Sequence, residues 1–212
     1  HGSGPQVGVL ALQASTGDGA ENVPLDVLDA ESVGLIGHLL TEGLSAHLDP
    51  ASVAVLLTRV EVDADDPGFQ VPTKPIGRWY PPDAGRALAA REGWVVVEGE
   101  QGVRRVVASP PPLRIVEITA IGRLVDAGHV VIAGGGGGIP VVSTADGMVG
   151  VEAVVDKDLT SALIAIELDA DRLIVLTDVD AVYRDYGEAD EQRIARTTAH
   201  ELRRTAFPPG TM

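Results

Sequence analysis

Apolar residues recur at helical spacing in four stretches of this chain. Val7, Leu10 and Ala11 predict a helix over 5–15, and Val33, Ile36, Leu39, Leu40 and Leu44 predict one over 30–47. Ile115, Ile118, Ile121, Leu124 and Val125 mark a third over 113–127, and Leu159, Ala162, Leu163 and Ile166 a fourth over 158–169. Between them lie short apolar runs of strand character at 52–63, 129–133, 140–142 and 172–176. The first is apolar and then alternating; the last reads as a buried strand opening into Thr177 and Asp178. Strands alternating with helices imply a mainly parallel sheet covered on both faces, with ligands at the carboxyl ends of its strands. The fold class is therefore α/β.

Residues 63–112 break this rhythm. They hold most of the prolines and both tryptophans, and the apolar runs 94–97 and 103–107 flank the turn 99–102 as a hairpin. A structureless loop of that length is uncommon, so the segment reads as a β-rich excursion from the main domain.

Composition narrows the function. A net charge of −15 argues against nucleic acid or an anionic membrane as partner, since both require basic surface. With no cysteine, disulfides and thiolate chemistry are excluded, and the five histidines lack ligand spacing. No apolar run approaches the roughly 20 residues needed to span a bilayer, and no signal peptide opens the chain, which points to the cytoplasm. Of 16 basic residues only Lys74 and Lys157 are lysines, and each sits in a short unusual motif. A compact ammonium is not replaced by a guanidinium where it must meet a small anion.

The neighbours of those lysines suggest an anion site. The glycines 134–138 follow a strand directly, where bare amides can approach a phosphate. The spacing is neither that of a Walker loop nor that of a dinucleotide fingerprint. Gly2, Ser3 and Gly4 form a second glycine-rich turn at a helix start, which favours an anion. Asp156, Lys157 and Asp158 place an ammonium between two carboxylates at another helix start, with Asp158 also a candidate cap. Lys74 stands between Pro72 and Pro75 on a stiffened turn. Such groups suit phosphoryl transfer, in which positioning and charge stabilisation dominate.

The segments HGSGPQVG, PTKPIG, VVASPPPLRIVEI, GGGGIPVV, GVEAVVDKDLTSALIA and LTDVDAVY resemble, in order and spacing, the carbamate kinases of the amino acid kinase superfamily. The resemblance covers nearly the whole chain. It implies a three-layer α/β/α sandwich over 1–212, a small protruding subdomain at about 63–112, and a homodimer. It further implies reversible phosphoryl transfer between ATP and carbamate, giving carbamoyl phosphate and ADP, with Mg2+ held mainly by the nucleotide phosphates. The reaction would close arginine or agmatine breakdown. Lys157 would meet the transferring group, Asp158 would orient the lysines, and Lys74 would reach over the small substrate. Gly2, Ser3, Gly4, Gly135, Gly136, Gly137 and Gly138 would bind substrate and phosphate. Thr177, Asp178, Asp180 and Tyr183 would line the nucleotide, with Gly210, Thr211 and Met212 near its phosphates.

The family pattern also contains an upstream Gly-Gly-Asn strand, an internal strand and a further lysine after a Gly-Ser-Met segment, none of which occurs here. Ser3 stands in place of asparagine, Arg78 in place of proline and Pro111 in place of lysine. The 212 residues alone are therefore expected to be poorly active or inactive. Two alternatives stay open: an amino acid kinase acting on a different small acid, and a non-catalytic nucleotide-binding or assembly module.

Overall fold

The computed structural model describes residues 1–15, 23–177, 179–205 and 207. The chain divides into two compact units, His1–Leu173 and Ile174–Met212.

The first unit opens with helix α1 (Gly4–Ser15), followed by α2 (Leu25–Ser45). Helix α2 starts earlier than the expected residue 30, because Pro24 supplies an extended N-cap and Leu25 and Leu28 continue the buried face. That face is completed by Ser32, Val33 and Gly37. At Gly37 an added Cβ would lie 2.5 Å from Val55 Cγ1, so glycine allows α2 to cross the first strand closely.

The expected single strand over 52–63 is two strands, β1 (Val53–Val55) and β2 (Arg59–Glu61), which belong to different sheets. Residues 56–58 turn between them, and the Thr58 hydroxyl donates back to Leu56 O. The excursion then forms β3 (Lys74–Pro75), helix α3 (Pro82–Glu92), β4 (Val96–Gly99) and β5 (Gly102–Val107), with sheet order β3-β5-β4. The hairpin turn lies where expected, and Gly102 takes φ 119° there.

Next come β6 (Arg114–Ile115) and helix α4 (Ile118–Asp126). The helix expected from 113 thus begins five residues late. Three successive prolines at 110–112 hold the chain extended, and Leu113 N–H donates to Glu61 O, so β6 joins the edge of β2 instead. Strand β7 (Val130–Ile132) pairs in parallel with β1. Strand β8 (Ile139–Thr144) outruns the expected 140–142. It pairs in parallel with β2 and antiparallel with β9 (Gly147–Gly150), a hairpin partner that periodicity did not show. The resulting sheet runs β6-β2-β8-β9, so pairing within it is mixed. Helix α5 (Lys157–Glu167) closes the unit's regular structure.

Two cores result. Val7, Leu25, Leu28, Ile76, Val107 and Val154 join α1 and α2 to the excursion. Val60, Val62, Ile115, Ile121 and Val155 fill the space among β2, β6, α4 and the approach to α5. Between α1 and the Lys74 turn, backbones nearly touch: a Cβ on Gly8 would lie 2.0 Å from Gly77 Cα.

The second unit contains β10 (Val182–Arg184), antiparallel to β11 (Gln192–Ile194), and helix α6 (Ala199–Arg204). The apolar run 172–176 is not a buried strand. Leu176 is 90% exposed and Ile174 69%, and no strand among the described residues pairs with the run. An extended segment needs a neighbouring ladder to satisfy its amides, and without one it stays irregular. Among the described residues no helix is long and apolar enough to cross a membrane.

Candidate active site

The chain's first turn, the stretch around Thr58 and the entry to α5 all meet the glycine run that leaves β7. Gly134 (φ 62°), Gly136 (φ 69°), Gly137 (φ 105°) and Gly138 (φ 85°) all occupy conformations that side chains disfavour. The junction is also crowded. A Cβ on Gly137 would meet Val155 O at 1.9 Å, one on Gly135 would meet the His1 ring, and one on Gly136 would meet Ser3 Oγ. The run is glycine because it threads between the chain's first turn and the entry to α5.

Most of its polar groups are already used. Gly134 N–H donates to Thr58 Oγ1 (2.9 Å), Gly136 N–H to His1 O (2.9 Å), Gly137 N–H to Gly134 O (3.1 Å) and Gly138 N–H to Gly135 O (2.9 Å). The buried Thr160 hydroxyl donates to Gly137 O at 2.7 Å, tying the loop to α5. An anion at this loop would meet the Gly135 amide, which has no acceptor among the described residues, or displace one of the internal bonds. The opening turn is freer, because the first amides of α1 have no partner one turn back. Beside them the Ser3 hydroxyl is buried without a hydrogen-bond partner.

The lysines enter from two directions. Lys157 is the first residue of α5 and its stem passes Gly2, whose added Cβ would lie 3.7 Å from Lys157 Cδ. Its ammonium donates to both Asp158 oxygens at 3.0 Å. Lys74 arrives from β3 and donates to Asp156 Oδ2 at 2.5 Å. Asp156 is the true N-cap of α5, accepting from the amides of Asp158 (2.9 Å) and Leu159 (3.4 Å). The candidate cap Asp158 lies inside the helix. Burial pushes the Asp156 carboxyl up, but the hydrogen bond from Lys74, the two amides and the lysine's charge outweigh it and hold it below the usual carboxylate range.

Each lysine is therefore neutralised by one aspartate of the same three-residue motif. An incoming phosphoryl group would compete for both ammonium groups, which are only half-buried.

Of the residues expected at the site, Gly2, Ser3, Gly4, Gly135, Gly136, Gly137, Gly138, Lys74, Lys157 and Asp158 are brought together in the first unit. Thr177, Asp180 and Tyr183 lie in the second. There Tyr183 donates to Asp180 Oδ1 (2.6 Å) and Arg193 to Asp180 Oδ2 (3.1 Å), which holds the Asp180 carboxyl low. Asp178, Gly210, Thr211 and Met212 lie outside the described residues. No motif in the sequence marks Thr58 or Thr160, whereas the capping role of Asp156 is signalled by an aspartate directly before a helical Lys-Asp-Leu.

The amino acid kinase family model matches residues 1–212. A carbamate kinase of Escherichia coli K12 is 49% identical over 212 residues, covering all of this chain and 70% of that protein. The chain belongs to the carbamate kinases. A carbamate kinase of Thermococcus kodakarensis is 42% identical, over 96% of this chain and 67% of that one. Among solved structures, carbamate kinase from Giardia lamblia bound to AMP-PNP is 38% identical with TM-score 0.78, covering 91% of this chain and 63% of that one. A protein of Aeropyrum pernix K1 superimposes over the whole chain at TM-score 0.87 and 41% identity, and this chain spans 72% of it. The α/β fold and membership of a family of ATP-dependent kinases follow from these likenesses.

Proposed function

We propose that the protein catalyses reversible phosphoryl transfer between ATP and carbamate at the site around Lys157. The observation that carries this is the convergence of both lysines, both glycine-rich turns and the Asp156–Asp158 motif in one place. A carbamate oxygen attacks the γ-phosphorus, the bond to the bridging oxygen breaks, and its electron pair leaves on ADP. Lys157 and Lys74 offset the charge on the transferring group, while the α1 amides and the Ser3 hydroxyl orient the small acceptor. Thr177, Asp178, Asp180, Tyr183, Gly210, Thr211 and Met212 are proposed to face the nucleotide.

Residues 63–112 act in this reading as the protruding excursion that presents Lys74. Mg2+ is proposed to arrive with the nucleotide phosphates and to be held mainly by them. A dimeric, cytoplasmic enzyme of arginine or agmatine catabolism is the setting proposed.

The test is ATP formation from ADP with carbamoyl phosphate or acetyl phosphate as donor, in the full-length protein. Turnover is expected with carbamoyl phosphate, and a much lower rate with acetyl phosphate. Equal rates, or none with carbamoyl phosphate, would overturn the proposal.

A further inference from the structure

The Asp156 carboxylate does two things at once. Its Oδ1 accepts from the amides of Asp158 and Leu159, which fixes the first turn of α5 and with it the backbone of Lys157. Its Oδ2 accepts from the Lys74 ammonium, which comes from a strand 82 residues away in sequence. The strand that brings Lys74 is pinned on its other side: Gly77 N–H donates to Gly4 O, and Gly77 packs against Gly8 of α1. A half-exposed ion pair contributes little to stability. The value of this one lies in where it puts a charge.

We propose that Asp156 is a positioning residue, holding Lys74 at a set place relative to Lys157 by binding one lysine's ammonium and capping the helix that carries the other. This rests on the phosphoryl-transfer reading of the site. Asp158 then serves only Lys157, so the orienting duty expected of one aspartate is divided between two. Substrate oxygens draw Lys74 from a defined resting point, and the reacting groups need no search for alignment.

Asp156→Asn separates the two duties, because asparagine caps helices as well as aspartate does but carries no charge for Lys74. In the full-length protein this variant is expected to shift the unfolding midpoint by less than about 4 °C. It should lower kcat for ATP formation from carbamoyl phosphate on the order of 10- to 100-fold, leaving the KM for ADP near wild type. Once Lys74 is methionine, adding Asp156→Asn should cost nothing further in kcat. Lysine-selective 13Cε labelling supplies a readout independent of turnover. The Lys74 resonance, assigned by its loss in Lys74→Arg, should move in Asp156→Asn while that of Lys157 stays.

Effects that multiply in the double variant would overturn the proposal, as would a wild-type kcat in Asp156→Asn. An unmoved Lys74 resonance would show that the pair does not form. If wild-type protein makes no ATP, the kinase reading falls, and the resonance still decides whether Asp156 fixes Lys74.

Discussion

Replacing Asp29 by alanine should make the protein more stable at alkaline pH and remove a pH dependence that the wild type carries. Asp29 lies on the inner face of α2, 4% exposed, and neither carboxylate oxygen has a hydrogen-bond partner. Burial, and then the charges of Asp26 and Glu152, push its carboxyl up from 3.8 to about 8. Between those values the folded chain holds a proton that the unfolded chain has released. Stability is therefore fully present below about pH 4, falls as pH rises, and levels off above about pH 8. The full span of some four units corresponds to roughly 5 kcal/mol at 1.36 kcal/mol per unit. From pH 5 to 7.5 the loss is roughly 3 kcal/mol, or about 6–12 °C in Tm for a chain of this size. Asp156, held low, contributes stability that is lost only as pH falls below its ordinary value, so it does not act in this window. Urea unfolding of wild type and Asp29→Ala from pH 5 to 8.5 reads the difference directly. Parallel curves for the two proteins would show that the buried carboxyl does not titrate as its surroundings dictate.

Two further substitutions test how the glycine loop is held. Gly137→Ala puts a Cβ 1.9 Å from Val155 O at φ 105°, so urea unfolding should show a loss of about 3 kcal/mol or more; a loss below about 1 kcal/mol would contradict the crowding. Thr160→Val keeps the shape but leaves Gly137 O without its buried donor, at an expected cost of about 1–3 kcal/mol. Thr160→Ser should recover most of that loss in the same measurement.

Much of the site was legible because local chemistry announces it. A glycine run after a strand, a Lys-Asp pair opening an apolar helix and a proline-flanked lysine are each readable within a few residues. The hairpin over 96–107 was equally plain, since its apolar runs and its turn glycine agree. What stayed hidden depends on partners far along the chain. Nothing near Asp156 indicates that Lys74 will dock on it. The apolar stretch 52–63 gives no sign of changing sheets, because the amides that Thr58 meets there, those of Gly134 and Ile139, lie far along the chain. Ile115 fits the helical spacing of Ile118 and Ile121 yet pairs with Val60, because the prolines at 110–112 deliver it extended. The amides of Gly136, Gly137 and Gly138 looked free for an anion; only the structure shows the internal acceptors that occupy them.

In the proposed reaction Lys157 stabilises a phosphoryl group passing between nucleotide and carbamate. The most direct test is the rate of ATP formation from ADP and carbamoyl phosphate by the full-length protein and its Lys157→Met variant, with unfolding curves recorded for both. Turnover is expected in the wild type, with a loss on the order of 10²–10³ in kcat for the variant and its stability retained. A folded Lys157→Met protein that forms ATP at the wild-type rate would contradict that role.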